Sequence, residues 1–371
     1  MIDALKRLDK KFLIFIGIIF CLPILLVVFL AILQGCGNSK MTYEKYEEKM
    51  ISALENYMKD SGKTPIEEGE LLNVELSTLV EKEYIKAPEK VLDDNTCLGN
   101  VYARRNGVSV DTNEGGYLNY IVNLTCDEYS TSKLVDKLKD DIVTSEAGLY
   151  QVGENYIYKG KSVNNYINFY GHTYRIMSID KDGILKLVKE ERESVSRIWD
   201  NKFNTETNKS SGKNIYKDSL LLQYLLDDYS NVNKISTKAK KHIVARDVCI
   251  GKRASDDFTI SSDIDCSEKL EDQVISILNV SDYASASLDS ECKNLKSRSC
   301  NNYNYLYEIA SSTWTLNSSS SNTYEAIYLS EGLMEVQYSN DSNKYNLVIY
   351  IDGNQKYTNG DGSLTKPFVI E

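Results

Sequence analysis

A run from Phe12 to Leu33 carries no charged residue, and 18 of its 22 residues are Leu, Ile, Val or Phe. At about 1.5 Å per residue a helix of this run reaches about 33 Å, enough to cross a hydrocarbon core of roughly 30 Å. Per-residue insertion values sum to roughly −5 to −11 kcal/mol, a margin that one proline, Pro23, does not overturn. The run predicts a transmembrane anchor over residues 12–34. Lys6, Arg7, Lys10 and Lys11 precede it and only Lys40 follows closely. The positive-inside tendency therefore makes residues 1–11 a cytoplasmic N-terminus and places the body of the chain outside the cell. The close of the run, "LQGC", allows a second reading, a lipoprotein signal with Cys36 as lipid acceptor. The run is longer than a usual signal core, and the bulky Gln34 suits that cleavage site poorly.

Cysteine usage agrees with an oxidising exterior. Beyond Cys21 and Cys36 there are six, falling in sequence as 97/126, 249/266 and 292/300. In the stretch from Cys97 to Cys126, two alternating apolar runs flank a Gly/Asn/Asp-rich centre. If it is a hairpin turning near Asp111, partners sum to about 223 and the two sulfurs lie side by side. For the others, nearest-neighbour pairing (Cys249 with Cys266, Cys292 with Cys300) is the simplest of several connectivities. Six buried reduced thiols are the alternative, better suited to cytosol.

The formal charge is −11, and −13 beyond residue 36. Such a body repels nucleic acid and anionic membrane surfaces, which excludes nucleic acid as an expected partner. The many Tyr and Asn residues resemble a binding-surface composition, but AT-rich coding produces the same excess.

After the anchor, "MTYEKYEEKMISALENYMKD" sets Tyr43, Tyr46, Met50, Leu54 and Tyr57 at spacings of three and four, an amphipathic helix. "NVELSTLVEKEYIKAP" predicts a second short helix stopping before Pro88, and the cysteine-closed hairpin completes a helix-plus-hairpin domain over 41–130. Leu134, Leu138 and Ile142 predict a connector helix within 131–149, weakly docked or acting as a spacer. From 150 the period changes to two. Turns at "KGK", "YGH" and "DKDG" cut "YIYKGKSVNNYINFYGHTYRIMSIDKDGILKLVKE" into four strands of a meander. A helix in "DSLLLQYLLDDY" with Asp218 as N-cap follows, then strands in "HIVARDVC", "QVISIL", "EAIYL", "MEVQY" and "LVIYI". The fold class expected is α+β: an N-terminal transmembrane helix, a small α+β domain, and a strand-rich α+β domain over 150–371.

The meander, "WDNKFN", "SDYASA", "WTL" and the ending "GDGSLTKPFVI" resemble, in that order, a domain of unknown function found in surface proteins of Gram-positive gut bacteria. That domain is similar to the C-type-lectin-like superfold, which implies that the first and last strands of 150–371 pair. Where such domains carry Arg-Pro before the final "VxYL"-like strand, this chain has Asn346 and Leu347. The segment 41–130, with its anchor, amphipathic helix and bridged sheet, is similar to the globular part of type IV pilin-like proteins, although no "GFTLIE" motif precedes the span.

Catalytic chemistry finds little material. The two histidines, His172 and His242, fall in a turn and beside "KAKK". A Cys249/His242 pair would point to opposite strand faces. "CKNLKSRSC" lacks the spacing and histidine of a zinc site. "DKDG" and "NGDG" read as tight turns rather than calcium loops, and no phosphate-cradling Gly-rich loop occurs, so neither metal nor cofactor is expected. Trp199, Trp314 and the alternating Tyr303, Tyr305 and Tyr307 of "NNYNYLY" remain as candidate binding aromatics, with Trp314 read as core. The expectation is a non-catalytic, membrane-anchored cell-surface protein serving adhesion, its distal domain binding an extracellular protein or glycan. The alternative is a structural subunit of a pilus-like envelope assembly.

Overall fold

The computed structural model describes residues 40–67, 69–106, 117–357 and 360–370. The expected span over 12–34 and the hairpin turn near Asp111 lie outside them. Among the described residues no helix is long and apolar enough to cross a membrane.

The proximal, N-terminal unit forms around helix α1 (Tyr43–Ser61). Thr42 caps its N-terminus by accepting from the Lys45 N–H, and Gly62, at φ 67°, ends it in the left-handed region. The face carrying Tyr46, Met50, Ala53, Leu54 and Met58 is buried. Tyr43 and Tyr57, placed on the same stripe by spacing, only border this core. It packs on strands β1 (Leu71–Glu75), β2 (Leu98–Asn106) and β3 (Tyr117–Thr125), joined antiparallel in that order. Paired residues of β2 and β3 sum to 223, as in Leu98 with Thr125 and Val101 with Val122. One residue beyond the last pair, Cys97 and Cys126 form a disulfide with Cα atoms 4.1 Å apart.

The helix expected from "NVELSTLVEKEYIKAP" is shorter. Asn73 to Glu75 belong to β1, which pairs with β2, and α2 covers only Leu76–Glu81. Sheet pairing outcompetes a weak helical preference at its start.

The expected connector also departs from its reading. Residues 131–149 contain a short helix, α3 (Leu134–Asp140), and the start of an edge strand, β4 (Gly148–Val152). Leu134, Val135 and Leu138 are buried in the larger core, and the N–H groups of Leu134 and Val135 donate to the Gln355 and Gly353 carbonyls. The segment is part of the distal body, not a spacer.

That body is built on β4, β5 (Asn155–Lys159), β6 (Tyr166–Phe169), β7 (His172–Ile179), β8 (Ile184–Lys189), β16 (Val348–Asp352) and β17 (Phe368–Ile370). The four central strands are present but do not form a plain meander. β6 pairs along the first half of β7 and β5 along its end, so both share one edge of the longest strand. β17 runs parallel to β6, while β4 pairs with β5, so the first and last strands are not partners. Between β8 and β16 come β9 (Arg197–Ile198), α4 (Leu220–Ser230), the ribbon of β10 (Arg246–Cys249) with β11 (Lys269–Gln273), and α5 (Val280–Ser285). The helix α6 (Tyr307–Ala310) precedes the sheet β12 (Thr313–Ser318), β13 (Glu325–Ser330) and β14 (Leu333–Tyr338), and β15 (Ser342–Asn343) pairs with β9. Ser219, not Asp218, caps α4, its side chain accepting from the Leu222 N–H. Of "QVISIL" only Gln273 is in a strand. Ser276 makes an isolated bridge to Val348.

Trp199 and Trp314 meet edge to face at 5.8 Å in the centre of this body, both at 0 % exposure. Trp199 is therefore core and not a surface aromatic. Two polar ties join the units. Arg104 on β2 reaches the fully buried Asp352 at 2.6 Å, and Glu47 on α1 accepts from Thr131 at 2.6 Å and Lys356 at 2.8 Å. The architecture is mixed α+β and sheet-rich.

Candidate functional site

The stretch "NNYNYLY" is not a strand. Tyr303 sits at φ 47°, in the left-handed region that a bulky residue seldom adopts, and α6 begins at Tyr307. The three tyrosines consequently do not share a face: Tyr305 is buried, while Tyr303 and Tyr307 are exposed. Asn304 holds this bend by donating to the Tyr283 and Cys300 carbonyls and accepting from the Leu306 N–H.

The bend brings Tyr305 to the β6–β7 edge, where a cleft of about 340 Å³ opens. Its floor is Arg175 on β7, 4 % exposed. The guanidinium carbon lies 3.8 Å from the ring centre of Tyr166 on β6 and 5.0 Å from that of Tyr305, so two aromatic faces flank the cation. Its Nε donates to the Asn165 side-chain oxygen at 2.6 Å. Glu190, just past β8, stands 3.6 Å from Arg175 Nη1, and its Oε2 is buried with no hydrogen-bond partner among the described residues. Burial pushes the Glu190 carboxyl above its ordinary value, Arg175 opposing this and the charge of Glu308 adding to it. Burial likewise raises the Tyr166 and Tyr305 hydroxyls.

Lys161, Ser162, Asn164 and Glu308 complete the polar lining, all exposed. None makes a side-chain hydrogen bond or ion pair among the described residues. A concave surface with aromatic walls and uncommitted donors and acceptors is suited to binding a polar ligand. Sequence reasoning singled out Tyr305 but missed Arg175, Glu190 and Glu308. The one available signal was the alternation of "NYINFYGHTYRI", which puts Tyr166 and Arg175 opposite each other if the turn is at "YGH".

A larger opening of about 880 Å³ lies between the units, lined by Gly69 and Arg104 on one side and by Asp180, Asp182, Arg246 and Tyr350 on the other. Part of its charge is spent within the protein. Arg246 pairs with Asp180 and Asp182, and Arg104 with Asp352.

The remaining sequence candidates have structural places. Cys249 is bonded to Cys266 and Cys292 to Cys300, so Cys249 is no thiol nucleophile for His242. His172 opens β7, and His242 packs on Tyr170 with ring centres 5.4 Å apart. In "DKDG", Asp180 accepts from the Asp182 and Ile184 N–H groups, and Gly183, at φ 82°, closes the turn. Asn359 of "NGDG" lies outside the described residues, and Asp361 there accepts from the Ser363 N–H. Asp94, Cys97 and Cys126 are close enough together to suggest a metal group, but both sulfurs are committed to the disulfide.

Comparison with protein-family models, with curated proteins and with solved structures returns no match.

Proposed function

We propose that this chain is a membrane-anchored, non-catalytic surface protein that binds a glycan or protein outside the cell through its distal body. The observation that carries the reading is the Arg175 cleft, in which two tyrosines wall a preorganised polar surface whose outer groups have no hydrogen-bond or ion-pair partner among the described residues. Three disulfides support an oxidising compartment. The apolar run over 12–34 supports an anchor with the body exported.

The test has two arms. Protease added to intact protoplasts should remove the body, and full protection would exclude an extracellular location. Full-length chain in lipid nanodiscs, screened against glycans and surface proteins, should give a ligand whose binding weakens in Glu308→Gln. A ligand indifferent to this change binds elsewhere. The pilus-like reading draws on one feature, the packing of α1 on a three-stranded sheet closed by a disulfide. It predicts a ladder of multimers on cross-linking intact cells.

A further inference from the structure

Resting on the reading of the Arg175 cleft as a ligand site, we propose that its occupant is an amino sugar, held through ammonium and hydroxyl hydrogens by Glu190 and Glu308. Arg175 is enclosed: its faces lie against Tyr166 and Tyr305, and its Nε is committed to Asn165. The cation acts as wall and as counterion to Glu190, and the lining presents to a ligand the carboxylates of Glu190 and Glu308 together with the exposed Lys161 ammonium. Glu190 Oε2 is buried and meets only Arg175, at 3.6 Å and beyond hydrogen-bond length, and Glu308 is an exposed carboxylate without an ion pair among the described residues. A buried carboxylate oxygen that has a counterion but no hydrogen bond gains from a donor within reach, so a ligand bringing N–H or O–H groups is selected.

Two further observations narrow the class. Ser162 and Asn164, on the same lining, each donate and accept, which matches the mixed hydrogen bonding of ring hydroxyls better than a lysine side chain with one polar tip. The chain's formal charge of −11 disfavours uronates and other anionic sugars. Because burial raises the Glu190 carboxyl, a bound ammonium favours its ionised form, and acidification through that raised value releases the ligand.

The experiment is calorimetric titration of the full-length chain in detergent with four probes: tetramers of glucosamine, N-acetylglucosamine and galacturonate, and a lysine-serine tetrapeptide. The glucosamine tetramer should bind about tenfold more tightly than its N-acetylated form, and Glu190→Gln and Glu308→Gln should each weaken it by about tenfold. Asp247→Asn, which removes the same charge from an exposed site in the other opening, should leave it unchanged. Unchanged melting temperatures would show that the variants fold. Equal losses in all three variants would mean general adsorption of a cation to an acidic body and overturn the proposal. Equal binding of the peptide would overturn the sugar class. Galacturonate binding that responds to Lys161→Ala would overturn the amino-sugar class while leaving the cleft as a ligand site. A ligand found in the broader screen that no cleft variant affects would overturn both.

Discussion

At the scale of single residues, the two histidines show how a half-buried imidazole acts on the stability of the molecule. Burial holds the His242 imidazole below its ordinary value near 6.5, and the neighbouring Lys241 lowers it further, while the Gln355 amide and Asp352 oppose this. The unfolded chain, whose imidazole titrates normally, binds the proton more readily than the fold does. Stability from this group is therefore present above the ordinary histidine range and lost as pH falls through it. Melting temperature should decline between about pH 7 and pH 5, and His242→Phe, which keeps an aromatic ring against Tyr170, should flatten that decline. An unchanged slope in the variant would place the proton uptake elsewhere. His172, also lowered by burial, is the next group to test.

At the scale of elements, the disulfides and the short helix α3 divide the labour of holding each unit. Cys97 and Cys126 are 29 positions apart, and closing such a loop stabilises the proximal unit by roughly 3 to 4 kcal/mol on the chain-entropy estimate. The double change Cys97→Ser with Cys126→Ser should lower the unfolding free energy of the proximal unit by that amount, and non-reducing peptide mapping of the native chain should return the three observed pairs. The loops of 17 and 8 positions in the distal body give less each. α3 is held by burial instead. Residues 134–140 should resist limited proteolysis until the distal body unfolds, and Leu138→Ala should destabilise that body by about 2 to 5 kcal/mol. Early cleavage inside α3 would show that the segment is the loose spacer its polar sequence resembles.

At the scale of the whole molecule, two cores are coupled through Arg104–Asp352 and Glu47–Lys356. Asp352 has no exposure, so Arg104→Ala strands a buried carboxylate at a cost of about 3 to 5 kcal/mol. Calorimetry should show one broad cooperative transition for the native chain and two separated ones for the variant; two transitions already in the native chain would mean the ties do not couple the units. The sequence alone determined what is local or periodic: the stripe of α1, the register of β2 with β3, the cysteine neighbours, and the four strands from 155 to 189. These follow from side-chain period and turn chemistry, which act over a few residues. Only the tertiary structure decided that β5 and β6 share one edge of β7, that β17 returns parallel to β6, and that α3 joins the distal core. It also decided that Arg253 and Asp265, charged residues with surface-like composition, pair at 2.6 Å with no exposure. The cleft belongs to this second group. Arg175 and Glu190 share the β7–β8 hairpin, but Tyr305 comes from a distant segment, and nothing local in a chain encodes which distant edges will meet, because long-range pairing is chosen by the burial of the whole.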